Sequence, residues 1–325
     1  MMKRSKPALR RVTAALLLVL LLAGQALAQT PEYLIPGGNT VGIKLYARGL
    51  LITQVAGHSA ASAAGLREGD TILQVDGVPV VSAQALREQL QNGKAVVLTL
   101  ERSGQRAEFL LRPEQTPEGY RLGLGIRDHV AGIGTVTYYE PESGAFGALG
   151  HGVGGVNGTP LLPMTTGLVV ASCVDSVRKG SAGSPGALKG AFDLRQAAGS
   201  VTQNLPQGVF GVMYSIPARE ALPVGKRSEV KTGPAHILSN VSGSEIEAFT
   251  VEVEKLYPAA ENGRNLLLRV TDARLLEQTG GIVQGMSGSP IIQDGKLIGA
   301  VTHVLVNDPT RGYGIFIENM LDAAG

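Results

Sequence analysis

Cysteine, tryptophan and aromatic side chains in general are scarce in this chain. Its 325 residues hold one Cys, no Trp and 4% aromatics. A single cysteine excludes an intrachain disulfide, so stability has to come from packing. Cys173 lies in the apolar run Leu168-Val-Val-Ala-Ser-Cys-Val174 and reads as a small buried hydrophobe, not a nucleophile. The five histidines are scattered, with none at zinc-ligand spacing from a cysteine, so no metal or other cofactor is expected. No basic cluster interleaves with aromatics, which argues against nucleic acid as a partner. From about residue 120 onward no long segment with a period of 3.6 residues stands out either. Glycine, by contrast, is abundant at 44 residues. Short Val/Ile/Leu runs separated by Gly, Pro and Asn predict a mainly β protein with tight turns.

Residues 1–28 carry Lys3, Arg4, Lys6, Arg10 and Arg11 and no acid, then an apolar run, then Ala26-Leu27-Ala28. A charged start, an apolar stretch and a small-x-small site predict an export signal. The alternative is retention as an anchor, but the run is short for a span of about 20 residues. Of 29 basic and 27 acidic residues in the whole chain, five bases fall in this leader, leaving 24 against 27 and a net charge of −3. The basic pI therefore belongs to the leader.

Two units follow. In residues 33–113, Asp76-Gly77 predicts a hairpin, and Ser82 can cap a helix over residues 83–90, with Leu86 and Leu90 on one face. Gly49-Leu-Leu-Ile-Thr-Gln-Val55, Ala63-Ala-Gly-Leu-Arg-Glu-Gly-Asp-Thr-Ile-Leu73 and Val75-Asp-Gly-Val-Pro-Val80 resemble a PDZ domain. Such domains bind an extended peptide at a sheet edge. The edge expected here is Gly42, Ile43 and Leu45, with the loop at residues 36–42 offering N–H groups to a carboxylate. Residues 114–119 read as a linker and residues 120–325 as an all-β unit, a double β-barrel.

The second unit carries Gly285-Met286-Ser287-Gly288-Ser289-Pro290, which resembles the nucleophile loop of trypsin-like peptidases. That resemblance implies Ser287 as nucleophile and the N–H groups of Gly285 and Ser287 as an oxyanion hole. It also places Thr302, His303 and Val304 on the strand that pairs with substrate. Met286 stands where trypsin has the aspartate that pairs with a newly cut N-terminus, so that activation switch is missing. His151, after Gly147-Ala-Leu-Gly150, is the expected base. For the third member, spacing leaves Asp272, Asp175 and Asp193 open.

Together with Gly180-Ser-Ala-Gly-Ser-Pro-Gly186 and Val301-Thr-His-Val-Leu-Val-Asn-Asp-Pro309, these motifs resemble the stage IV sporulation protein B peptidases over nearly the whole chain after the leader. The resemblance implies a triad of His151, Asp272 and Ser287. It further implies self-cleavage in the N-terminal segment (residues 29–38) and cleavage of a membrane-bound regulator of an intramembrane protease, which triggers late sigma-factor activation. The implied location is the space between forespore and mother-cell membranes. Asp272 also reads as an N-cap for a helix over residues 273–278. The alternative function is a non-catalytic PDZ scaffold with an inert protease-like domain.

Overall fold

The structure is a computed structural model that describes residues 31–154 and 161–325. The leader and the side chain of Asp193 lie outside the described residues. The chain is built from β1 (Tyr33–Pro36), β2 (Thr40–Val55), α1 (Ala60–Ala63), β3 (Thr71–Val75), β4 (Val78–Pro79), α2 (Ala83–Leu90), β5 (Val96–Arg102) and β6 (Gln105–Leu111). Next come β7 (Glu114–Thr116), β8 (Gly119–Arg121), β9 (Leu124–Tyr139), β10 (Ala145–Ala148), β11 (Met164–Arg178), β12 (Ala187–Leu205), β13 (Gly208–Met213) and β14 (Leu222–Pro223). The last part holds β15 (Gly233–Ser239), β16 (Glu247–Leu256), β17 (Leu266–Val270), α3 (Ala273–Thr279), β18 (Pro290–Gln293), β19 (Lys296–Leu305), β20 (Asp308–Phe316) and α4 (Ile317–Ala324).

Two barrels result. β2, β9, β10, β13, β12 and β11 pair in a ring that closes between β11 and β2. β15, β16, β17, β20, β19 and β18 form the second closed barrel. The mainly β, double-barrel expectation is met. The barrels meet through Leu34, Tyr138 and Phe210 on one side and Leu297, Ala300, Ile315, Ile317 and Met320 on the other.

The PDZ unit is inserted into the first barrel instead of preceding it. β2 and β9 run through both units: Thr40 to Tyr46 pair with Thr135 to His129, and Leu51 to Val55 with Arg127 to Leu124. The side-chain period of two explains how one strand serves two cores. Val41, Ile43, Leu45 and Ala47 fill the barrel, and after Arg48-Gly49 the phase shifts so that Leu50 and Ile52 enter the PDZ core. Gly49 allows the crossing, because a Cβ there would press into the Ile72 carbonyl group, 3.1 Å from its carbon.

These pairings differ from the expected boundaries. Residues 33–47 belong to the barrel, and residues 124–127 extend the PDZ sheet. The stretch expected as a linker is a β7–β8 hairpin. Within the PDZ unit the local expectations match. Ser82 Oγ accepts from Ala85 N at 3.1 Å, and Asp76 and Gly77 take φ values of 48° and 79°. Cys173 is exposed, contrary to expectation. It lies beyond Ala171, where β11 has left its β2 partner and runs on as a hairpin arm with β12.

Candidate active site

The segment Gly285 to Ser289 links α3 to β18 at the junction of the barrels. β9 braces it from the first barrel. Thr135 N donates to Ser287 O at 2.9 Å, Thr135 Oγ1 to Gly285 O at 2.7 Å, and Thr137 Oγ1 to Gly288 O at 2.8 Å. Gly288, at φ 97°, is packed against the Thr135 backbone, where a Cβ would also lie 2.5 Å from Leu149 N. Ser289 is fully buried, so of the two loop serines it is Ser287 that faces a cavity. Among the described residues the N–H groups of Gly285 and Ser287 have no acceptor, as oxyanion donors require. The Ser287 hydroxyl donates to Thr302 O at 2.8 Å.

His151 follows β10 through Leu149 and Gly150, both left-handed at φ 69° and 66°. A non-glycine residue in that region stores about 1–3 kcal/mol, a cost typical of a functional turn. Gly150 lets the base loop touch the second barrel, since a Cβ there would lie 2.9 Å from Thr302 Cγ2. His151 Nδ1 lies 3.0 Å from Gly152 O. A carbonyl only accepts, so Nδ1 carries the proton and Nε2 keeps the lone pair that a base needs. Burial pushes the His151 imidazole below its ordinary pKa, partly countered by the Gly152 hydrogen bond. The His303 ring lies 5.1 Å from that of His151, centroid to centroid. Burial, then His151 and Arg264, push His303 down to about 4, so it is neutral at pH 7.

His151, Ser287, Thr302, His303 and Val304 line one cavity of about 430 Å³. The expected base, nucleophile and substrate strand are therefore brought together. β18 pairs with β19 only as far as Ala300, so among the described residues the other edge of Thr302 to Val304 has no strand partner.

Asp272 is not brought there. It caps α3: Oδ1 accepts from Arg274 N at 3.0 Å, and Oδ2 from Arg274 Nη2 at 3.0 Å and Thr250 N at 3.3 Å. The Arg274 hydrogen bond holds its carboxyl below the usual carboxylate range. Asp272 lies past the Val270 end of β17, whereas Gly263, which accepts from Thr302 Oγ1 at 3.2 Å, precedes the Leu266 end. Asp175 lies on the hairpin arm, facing Val241 and Gln278. Among the described residues no carboxylate lines the His151 cavity.

What steadies the base loop instead is Asn204, near the end of β12. Its Oδ1 accepts from Val153 N at 2.8 Å, and its Nδ2 donates to Val153 O at 2.9 Å and Leu162 O at 3.2 Å. Sequence reasoning missed it, because one amide in Gln203-Asn204-Leu205 carries no signal of what it will face.

The expected peptide edge in the PDZ unit is also corrected. Gly42, Ile43 and Leu45 are paired on both sides, to β11 and β9, inside the first barrel. Ile43 and Leu45 instead line the active-site cavity. The groove of the PDZ unit lies between α2 and the start of β9, lined by Ala83, Leu86, Arg87 and Leu124 to Ile126, with a volume of about 590 Å³. At residues 124–127, β9 pairs with β2, and among the described residues no strand pairs with its other edge.

Comparison with known families matches both units. Residues 51–102 match a PDZ domain family and residues 118–321 match the SpoIVB peptidase S55 family. A Vibrio cholerae protein described as a zinc metalloprotease is 32% identical over 107 residues, 31% of this chain and 24% of that protein. The chain thus spans about a quarter of that relative's length. Among solved structures, the inactive form of the Rv3671c protease gives a TM-score of 0.35 at 16% identity, over 59% of this chain and 84% of that one. The PDZ domain of a Listeria monocytogenes SdrC-like protein gives a TM-score of 0.23 at 19% identity, over 25% of this chain and 90% of that one. With a PDZ unit joined through β2 and β9 to a double-barrel peptidase unit, and with the family model matched over residues 118–321, the chain belongs to the SpoIVB peptidase S55 family.

Proposed function

We propose that this serine peptidase is an exported endopeptidase whose nucleophile is Ser287 and whose base is His151. The observation that carries this reading is the single cavity holding both side chains beside two N–H groups without acceptors. In the reaction, the Ser287 hydroxyl turns from Thr302 O toward His151. Oγ attacks the scissile carbonyl carbon as its proton passes to His151 Nε2. The carbonyl oxygen, now negative, takes hydrogen bonds from Gly285 N and Ser287 N. Collapse breaks the C–N bond, and the amine leaves with the proton from His151. Water then hydrolyses the acyl-enzyme by the same route.

Beside its polar groups the cavity wall carries Ile43, Leu45, Ile133, Ile282, Val283 and Val304, and among the described residues no Asp, Glu, Lys or Arg. It suits uncharged, apolar side chains of the substrate. By likeness to the family, the role is sporulation signalling between forespore and mother cell, with a membrane-bound regulator as substrate. Self-cleavage belongs to the same reading. Leu34 and Ile35 are buried and β1 is paired on both sides, so the cut is expected before Tyr33. Ser287→Ala should abolish both hydrolysis and labelling by a fluorophosphonate while the protein stays folded. Labelling that survives in Ser287→Ala would move the nucleophile elsewhere. No labelling of the wild type would favour the inert scaffold.

A further inference from the structure

We propose that the hairpin arm of β11 and β12 builds the oxyanion hole, with the Leu188 N–H as its positioning group. Trypsin-like loops are organised by an aspartate at the position of Met286, and Met286 is fully buried in the core of the second barrel. Another device must therefore orient the donors. Each donor N–H shares a planar peptide unit with the preceding carbonyl, and the two point opposite ways. Fixing the carbonyl thus fixes the N–H. For Ser287 N that carbonyl is Met286 O, which accepts from Ser289 N at 2.9 Å, within the loop itself. For Gly285 N it is Gln284 O, which accepts from Leu188 N at 2.8 Å, across from the arm.

Among the described residues no other group donates to Gln284 O. Gly285 sits at φ 101°, and glycine leaves alternative orientations of its peptide accessible. The arm is well seated for the task. Gln284 N donates to Gly186 O at 3.0 Å, Gly180 N to Thr279 O at 2.8 Å and Gly183 N to Val306 O at 2.9 Å. Val174 and Gly243 exchange two bonds of 3.0 Å further back. Gly186 has no room for a side chain, because a Cβ would lie 2.5 Å from Gly180 N and 2.6 Å from Val283 Cγ1. An undocked arm would free Gln284 O to turn into the cavity, where it would repel the developing oxyanion.

The inference rests on Ser287 as nucleophile, and its test separates the two. In the full chain, Leu188 is replaced by its α-hydroxy acid, which exchanges only N–H for O. We expect kcat per titratable site to fall about 10-fold or more with KM nearly unchanged, since the lost interaction acts in the transition state. Affinity for a peptide boronate should fall by the same factor. Gly186→Ala should act in the same direction by lifting the arm. If Gly186→Ala fails to fold, the ester variant still decides. Unchanged kcat per site in the ester variant would overturn the arm's role, whether or not fewer sites are titratable. A wild type with no titratable site would instead overturn the nucleophile.

Discussion

Arg274 holds Asp272 with Nη2 and reaches Glu247 with Nη1 at 3.1 Å, while its guanidinium lies 5.2 Å from the Phe249 ring centroid. The acid–arginine pair thus ties α3 to β16. Asp272→Ala removes the cap and should cost about 1 kcal/mol, read as a lower melting temperature. An aspartate directly before a helix was legible as a cap. Its competing reading came from family likeness; the hydrogen bonds Asp272 makes are those of the cap, at the Val270 end of β17 and not the Leu266 end beside Thr302. Asn204 shows the reverse. Asn204→Ala leaves Val153 N without its acceptor next to the base, while Val153 O keeps only the Leu162 N–H, and kcat should fall about 10- to 100-fold with KM little changed. An unchanged kcat would make Asn204 a purely structural clamp. For His151, a depressed pKa means the ring stays neutral, and able to accept a proton, below its ordinary value of about 6.5. The acid limb of kcat/KM should therefore lie below pH 6.5. A limb at or above 6.5 in the wild type would contradict the burial assigned to His151.

Among the elements, β9 does most to join sequence to chemistry. Its first residues edge the PDZ groove, and its Thr135 and Thr137 hydroxyls hold the nucleophile loop. Thr135→Val keeps the shape but leaves Gly285 O buried without that donor, at a cost of about 1–3 kcal/mol. The melting temperature should fall, and kcat should fall with it. A variant with wild-type melting and kcat would show that the brace is not needed. Residues 42–45, as a peptide edge, and residues 49–55, as a PDZ motif, were each legible in the sequence only as separate pieces. Their union into one strand was not, because Arg48-Gly49 shifts the phase and looks like a break. The same holds for the hairpin arm. Gly180-Ser-Ala-Gly-Ser-Pro-Gly186 marks a turn, but what a turn docks against is a property of the folded chain.

At the scale of the molecule, the insertion of the PDZ unit between the first two barrel strands makes its groove and the active site two ends of one strand pair. Both domains and the double barrel were legible from local motifs. The insertion was not, since motifs do not reveal which strands close a ring. Ala83 lines the groove in the first turn of α2, where an added acid suits the helix dipole. Ala83→Glu should therefore leave folding intact, keep hydrolysis of a short peptide, and slow cleavage of a partner protein that engages the groove. Equal rates on both substrates would reduce the PDZ unit to a spacer. A bulky residue at Gly42 should act differently. A Cβ there meets Val170 Cγ2 at 2.7 Å, so both activities should be lost with the barrel. The most direct test of the catalytic constellation is kcat for Asp272→Asn, which preserves the cap and removes the charge. With Ser287 and His151 acting without that carboxylate, kcat should stay within about tenfold of wild type. A loss of about 10⁴, as when the orienting acid of a triad is neutralised, would contradict the arrangement described.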